Sequence, residues 1–338
     1  MTRDTTSQVV VNGRFLARRI TGVERYGREI LRYIGSKSRV ESTRRQGWTG
    51  HAWEQFILPA KLNGDSILWS PANTGPLMIH NQALTIHDLS PLEHPEWFRG
   101  SFAAWYRLFL PIMARRVRKV FAPSEYVKQK VMRRFGIKNV TVTPNGVNSS
   151  LFHPDAKQEK LNLPECYILF VGSLEPRKNL KLLLRAWNEI KNDFKETWLI
   201  IVGVGGTVFK AVNFSQVMEM DRVHFLGYLE DEVLAGLYTN ATLLVLPSED
   251  EGFGLPALEA MASGVPVIVS DGGALPEIVG EAGMVFCLSN PDGLSNKLKE
   301  YLSSDRLPAE LKEKGLARAK QFSWQRTAEL VWKNLNEL

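Results

Sequence analysis

Between Leu243 and Ser270 the chain spells out a strand, a glycine-bearing loop, a short helix and a second strand, and this succession constrains the fold most. Leu243-Leu-Val-Leu-Pro247 is an apolar run of strand length, and Val265-Pro-Val-Ile-Val269 is the next. Gly252 and Gly254 leave the intervening loop open to close backbone approach. Pro256 suits the first turn of a helix and Gly264 its end. Glu251 then lies in the loop and Glu259 about one turn into the helix. A helix N-terminus carries free N–H groups and a partial positive charge, which favour a phosphate. A carboxylate on each side of that phosphate can grip hydroxyls, one set on a sugar and one on a ribose. A bare pair of glutamates eight apart is ordinarily a solvated surface pair; its setting in Gly-Phe-Gly-Leu-Pro at a strand-to-helix joint points to a binding site instead.

The second half of the chain keeps the same beat. Tyr167-Ile-Leu-Phe-Val-Gly reads as a strand, Asn179–Lys191 as a helix, and Trp198-Leu-Ile-Ile-Val-Gly and Val223-His-Phe-Leu-Gly as strands. A helix over Glu230–Tyr238 follows, with a short helix over Leu275–Val279 and a strand at Gly283-Met-Val-Phe286 after the opening segment. The first half is similar: strands at Val9-Val-Val, Ser66-Ile-Leu-Trp, Ala83-Leu-Thr-Ile, Lys119-Val-Phe-Ala and Val140-Thr-Val-Thr. A helix from Gly22 carries Val23, Tyr26, Ile30 and Ile34 on one face. Residues 35–65 are polar and weakly patterned and are expected to be loop-rich, and a loop through Pro154 and Pro164 reads as the linker. Alternating strands and helices imply parallel sheets covered on both faces. The expectation is α/β: two doubly wound Rossmann-like domains over 1–150 and 151–320, with ligands at the carboxyl ends of the strands in a central cleft. A last helix at 321–338, capped by Ser323, presents Trp324, Leu330 and Val331.

At 338 residues, 44% apolar and 23% charged, the composition is that of an ordinary globular protein. No apolar run is long enough to span a bilayer, and the polar Met1–Thr6 shows no secretory signal, so the cytoplasm is the expected location. Cys166 and Cys287 read as reduced core residues, and neither suggests a metal site. The net charge of +6 is concentrated in residues 97–134, where arginines and lysines alternate with Trp97, Phe98, Phe102 and Trp105. That mixture suits the surface of an anionic membrane, and it equally suits a packed helix with a solvated basic face. No nucleic-acid partner is expected.

Several residues can carry chemistry. Arg177 and Lys178 follow a strand in Gly172-Ser-Leu-Glu-Pro-Arg-Lys-Asn179 and precede a helix. The helix dipole disfavours cations there, whereas a bound diphosphate would require them. Gly22 can admit backbone N–H groups to phosphates, although a plain turn reads as well. His87 and Asp88 end the strand Ala83–Ile86, where an imidazole can bond a sugar hydroxyl or move a proton. Asp271-Gly-Gly-Ala-Leu-Pro-Glu277 repeats the strand–glycine–helix device, for packing or for phosphate approach. Val202-Gly-Val-Gly-Gly206 is an incomplete dinucleotide fingerprint, so NAD is not expected. There is no P-loop, no His-Glu-x-x-His and no Asp-x-Asp.

Taken together, these residues resemble the retaining glycosyltransferases of family 4, which have the GT-B fold. Such enzymes join a Glu-x7-Glu element, here Glu251 and Glu259, to a cation pair after Gly-Ser-Leu, here Arg177 and Lys178, and to an N-terminal glycine loop, here Gly22. The match is densest over 167–286. The resemblance implies that Arg177 and Lys178 hold the donor diphosphate, that Glu259 takes the ribose, and that Glu251 with the backbone of Gly252, Phe253, Gly254 and Leu255 holds the sugar. It places Gly227, Tyr228 and Leu229 at the base and His87 at the sugar or acceptor. It further implies retention, no divalent metal and no other cofactor, and a last helix that returns to the first domain. The donor best matching Thr-Ile-His-Asp-Leu and Ser-Leu-Glu-Pro-Arg-Lys-Asn is GDP-mannose, with UDP- and dTDP-sugars as alternatives; the acceptor is a saccharide or a lipid-linked saccharide. The alternatives to transfer are a non-catalytic sugar-nucleotide or polysaccharide binder on the same scaffold and, behind it, an epimerase or phosphorylase.

Overall fold

Among the described residues each half of the chain builds six short strands, and every pairing between them is parallel. A computed structural model describes residues 8–156, 162–205 and 220–338. The first sheet contains β1 (Val9–Asn12), β2 (Arg39–Glu41), β3 (Ile67–Ser70), β4 (Gln82–Thr85), β5 (Lys119–Ala122) and β6 (Val140–Val142), in the order β2-β1-β3-β4-β5-β6. The second contains β7 (Cys166–Val171), β8 (Thr197–Val202), β9 (Val223–Gly227), β10 (Leu243–Leu246), β11 (Val267–Ser270) and β12 (Met284–Phe286), in the order β12-β11-β10-β7-β8-β9. In each the chain winds outward one way, returns and winds the other way. The switch points therefore fall between β1 and β3 and between β7 and β10. The central strands are buried along their whole length, as helices on both faces require.

The chain divides into two units. One holds residues through Glu93, Ser101–Gly146 and Ser323–Leu338; the other holds His94–Gly100 and Val147–Phe322. In the first unit the helix Trp324–Asn336 packs on the helix Gly22–Ile34, with Trp324 edge-on to Tyr26 at 6.2 Å. Ser323 caps the last helix by accepting from the Arg326 N–H, and Ser124 caps the helix Glu125–Phe135 by accepting from the Val127 N–H. In the second unit Trp187, Phe170, Ile201 and Leu298 lie at the centre of the core.

Several expectations are corrected. Residues 35–65 are not loop-rich: they hold β2, a helix Gly47–Ala52 and a wide helical turn Trp53–Ile57. Trp53, Glu54 and Leu58 are its buried face; Glu54 looks polar in sequence because its partner, Arg14, lies forty residues away. Cys166 and Cys287 are exposed and unpaired, because each sits at a strand's end rather than in its middle. Trp97 and Phe98 are buried, Trp97 stacked on the His94 ring at 4.0 Å, so neither can dip into a bilayer. Trp105 is half-buried and stacks on Phe109 at 3.6 Å. Gly203 needs no dinucleotide: a Cβ there would fall 1.8 Å from the Gly172 carbonyl oxygen, where β7 and β8 end side by side. The remainder of that glycine run, at Gly206, and residues 157–161 of the expected linker lie outside the described residues.

Candidate functional site

Open α/β sheets bind ligands at the carboxyl ends of their strands, beside the switch point. In the second unit that place is lined by the segments after β7 and β10. After β7 the chain makes a tight helical turn, Pro176–Lys178, and Asn179 takes a left-handed conformation before the helix Leu180–Ile190 begins. After β10, Ser248–Gly254 leads into the helix Leu255–Ala262; Gly254, at φ +102°, is the residue before its first turn. The two segments are stitched by backbone: the Glu249 N–H donates to the Arg177 carbonyl at 2.7 Å.

This brings Arg177, Lys178 and Glu251 into one cluster. Arg177 Nη1 donates to Glu251 Oε2 at 3.1 Å and to the Asp250 carbonyl at 3.1 Å. Lys178 Nζ pairs with Glu251 Oε1, which also accepts from the Ser248 hydroxyl at 2.9 Å. Arg177 Nε holds Glu175 Oε1 at 2.8 Å, and the Ser173 hydroxyl donates to the same oxygen at 3.0 Å. Burial pushes the Glu251 carboxyl up, but Lys178 and Arg177 outweigh it and hold the group at about 2. Glu175 goes the other way: burial raises it against the pull of the same two cations. Two carboxylates thus face two cations at a strand end.

The loop is backed from behind. Gly273, at φ +69°, would place a Cβ 2.3 Å from the Glu251 nitrogen, and the Ala274 N–H donates to the Glu251 carbonyl at 2.8 Å. The glycines after Asp271 therefore serve close packing that fixes Glu251. Glu277 sits in the first turn of the helix Leu275–Val279. Glu259 is buried in the helix Leu255–Ala262 and accepts from the Tyr238 hydroxyl at 3.2 Å. Phe253 is buried edge-on to Phe322 at 5.7 Å, so at this position only backbone can face a ligand. Gly227 ends β9 at φ +69° and accepts from the Gly203 N–H at 2.7 Å, followed by the exposed ring of Tyr228 and then Leu229.

In the first unit Gly22 opens the helix Gly22–Ile34, on which Tyr26 lies edge-on to His87 at 4.9 Å. His87 Nε2 donates to the Pro71 carbonyl at 2.7 Å, and its backbone N–H donates to Asn73 Oδ1 at 2.7 Å. Burial pulls the imidazole below its ordinary value, so it is neutral, with Nδ1 as the ring's acceptor. Asp88 accepts from the Ser90 N–H at 3.0 Å. The switch point of this sheet holds a network that sequence reasoning missed. Glu54 Oε1 accepts from Arg14 Nε at 3.1 Å, from Asn12 Nδ2 at 2.7 Å and from the Thr74 hydroxyl at 3.2 Å. A lone glutamate among Trp53 and Phe56 was the available signal. Glu175 and Tyr238 were missed too; Glu175 stands within the Gly172–Asn179 motif, two residues before Arg177, while nothing in sequence ties Tyr238 to Glu259. Among the described residues no three His, Cys, Asp or Glu side chains converge on a point that could hold a metal ion.

The profile of the family described as glycosyl transferases group 1 matches residues 153–318, and that of glycosyltransferase family 4 matches residues 77–151. The O-antigen chain mannosyltransferase B of Escherichia coli is 30% identical over 295 residues, spanning 83% of this chain and 74% of that protein. The O-antigen chain mannosyltransferase RfbU of Salmonella typhimurium is 30% identical over 261 residues, spanning 76% and 69%. Among solved structures, sucrose-phosphate synthase from Thermosynechococcus elongatus superposes with a TM-score of 0.79 at 20% identity, covering 98% of both chains. Anabaena HepE, solved in complex with UDP-glucose, superposes with a TM-score of 0.73 at 16% identity, covering 98% of this chain and 100% of that one. These two share the fold.

Proposed function

We propose that this chain, which belongs to the group 1 glycosyl transferases of family 4 and is a glycosyltransferase of the GT-B fold, moves mannose from GDP-mannose to a saccharide or lipid-linked saccharide in surface-polysaccharide assembly. The observation that carries the reading is the Arg177–Lys178–Glu251 cluster beside the switch point of the second sheet. Similarity to two O-antigen mannosyltransferases supports mannose as the sugar.

Without donor, Glu251 pairs with both cations. A diphosphate carries more charge and takes its place, which frees the carboxylate to accept hydrogen bonds from sugar hydroxyls. Glu175 keeps its hold on Arg177 Nε, so the guanidinium keeps its aim while its outer edge changes partner. Glu259, braced by Tyr238, takes the ribose; the backbone of Gly252–Leu255 and the first turn behind it face sugar and phosphate. Tyr228 and its neighbours Gly227 and Leu229 border the base. Gly22, His87 and Asp88 are the first unit's candidates for substrate contact. The acceptor oxygen adds to the sugar's anomeric carbon on the face from which the diphosphate leaves, so configuration is retained. The bonding pair stays on the departing phosphate oxygen, which receives the acceptor's proton. Arg177 and Lys178 stabilise the growing negative charge, as a divalent ion does elsewhere, and the reaction uses no other cofactor.

Thermal denaturation with GDP, UDP and dTDP tests the donor: the cognate nucleotide raises stability most. A shift with UDP and none with GDP removes the mannose assignment. Transfer assays with and without EDTA, read by NMR at the anomeric position, test the metal and the stereochemistry. Nucleotide binding with neither hydrolysis nor transfer of any sugar would make the chain a binder instead.

A further inference from the structure

Among the described residues the exposed large apolar side chains are unevenly shared: Tyr228 belongs to the second unit, while Trp48, Phe56, Ile57, Met78, Leu108 and Ile112 are among those of the first. Phe56 is 72% exposed, Trp48 63% and Leu108 61%. The segments that carry them are linked. Trp48 and Phe56 lie on the helical segment 47–57, and Trp48 is edge-on to Trp105 at 5.4 Å. Trp105 belongs to the helix Gly100–Arg116, whose outer side carries Leu108 and Ile112 one turn apart. Gln55 ties the loop before Met78 to the same segment through the Gly75 carbonyl and the Leu77 N–H.

The segments that carry this face are poor in carboxylates. Residues 42–64, 66–87 and 97–124 contain a single carboxylate, Glu54, and it is buried. Arg44, Arg45, Arg107 and Arg116 are exposed in the same stretches. A second copy of the chain docking by the same face would set arginine against arginine, because a two-fold interface pairs a surface with itself. An anionic lipid surface complements both properties: headgroups meet the arginines while the aromatic and aliphatic tips enter the acyl boundary.

We propose that this face of the first unit, centred on Trp48, Phe56 and Leu108, is where the protein docks on an anionic bilayer. The inference rests on the reading that the acceptor is lipid-linked, and it moves the contact away from Trp97 and Phe98. It also accounts for the shape of segment 47–57, whose wide helical turn presents Phe56 and Ile57 outward while Trp53 and Glu54 point in.

Co-sedimentation of the full chain with phosphatidylglycerol and phosphatidylcholine vesicles tests it. Wild type should bind phosphatidylglycerol at low salt and be released at high salt. Trp48→Ser/Phe56→Ser and, separately, Leu108→Ser should each lower that partition, the double variant by at least about tenfold. Arg107→Glu/Arg116→Glu should lower it about fivefold or more for each arginine and flatten the salt dependence. Tyr228→Ser should bind vesicles as wild type does. Unchanged nucleotide-induced thermal shifts show that the first-unit variants are folded, and circular dichroism shows it for Tyr228→Ser. If wild type ignores anionic vesicles, the membrane-borne acceptor itself is wrong. If wild type binds and the patch variants bind equally well, the acceptor reading stands and this docking face is overturned. Loss of a wild-type dimer in the patch variants would assign the face to a second copy and overturn it as well.

Discussion

The two sheets share one winding scheme, yet their switch points have opposite fates. In both, an arginine after the first strand meets a glutamate from a later segment. In the first sheet the pair is Arg14 and Glu54, with side chains 4% and 1% exposed, closed over by Asn12 and Thr74. In the second it is Arg177 with Glu251; Arg177 is 16% exposed and is supported by Glu175 from the side. The difference is access. A buried ion pair can only be kept or broken, and breaking it strands a charge out of water. Arg177, more open to water, loses less when its carboxylate partner is removed. The same topology thus holds a closed ion pair in one half and a more accessible cluster, the candidate site, in the other.

The largest expected effect breaks the closed pair. Glu54→Ala leaves Arg14 without its counter-charge and should cost about 3–5 kcal/mol of stability in urea unfolding. Glu251→Gln should cost less than Glu54→Ala, nearer about 3 kcal/mol, because water can reach the Arg177 it releases even though Lys178 loses its partner too; a loss as large as that of Glu54→Ala would mean that the two switch points are alike.

Acid should then titrate both. Glu54 and Glu251 sit at about 2, against 4.5 when unperturbed; at Glu54, burial is outweighed by Arg14, His51 and Asn12. With the folded value depressed, the stability each contributes is fully present above pH 4.5 and is lost as pH falls towards about 2. The loss is about 3 kcal/mol per group. Unfolding free energies of wild type and Glu54→Gln from pH 6 downward check this, and parallel curves would show that Glu54 does not contribute.

Arg177→Ala and Lys178→Ala address the more accessible cluster instead. Each should lower kcat/KM for the donor by about 2–4 kcal/mol, a factor of about thirty to a thousand, with the fold intact by circular dichroism. Near wild-type turnover in the double variant would return the pair to ordinary charge. Smallest is Tyr238→Phe, which removes a hydrogen bond to Glu259 worth about 1 kcal/mol and should raise KM for the nucleotide sugar about fivefold with little change in kcat.

The alternation of apolar strand-length runs with helical periods in the sequence was enough to place two parallel doubly wound sheets, because periodicity is a property of neighbouring residues. It also put Arg177, Lys178, Glu251 and His87 at strand ends, since a motif's position along its element is local as well. What it could not reach were pairings across the chain. Arg177 and Glu251 are 74 residues apart, and Arg14 and Glu54 are 40 apart. Only the folded sheet sets which carboxylate neutralises which cation, and so which carboxyls are held near 2 and which are raised. The same holds for exposure. Trp97 and Trp48 are equally apolar in sequence, but one stacks against His94 in the interior and the other stands 63% exposed. Burial depends on what else packs at that point in space, and that is decided by residues far away along the chain.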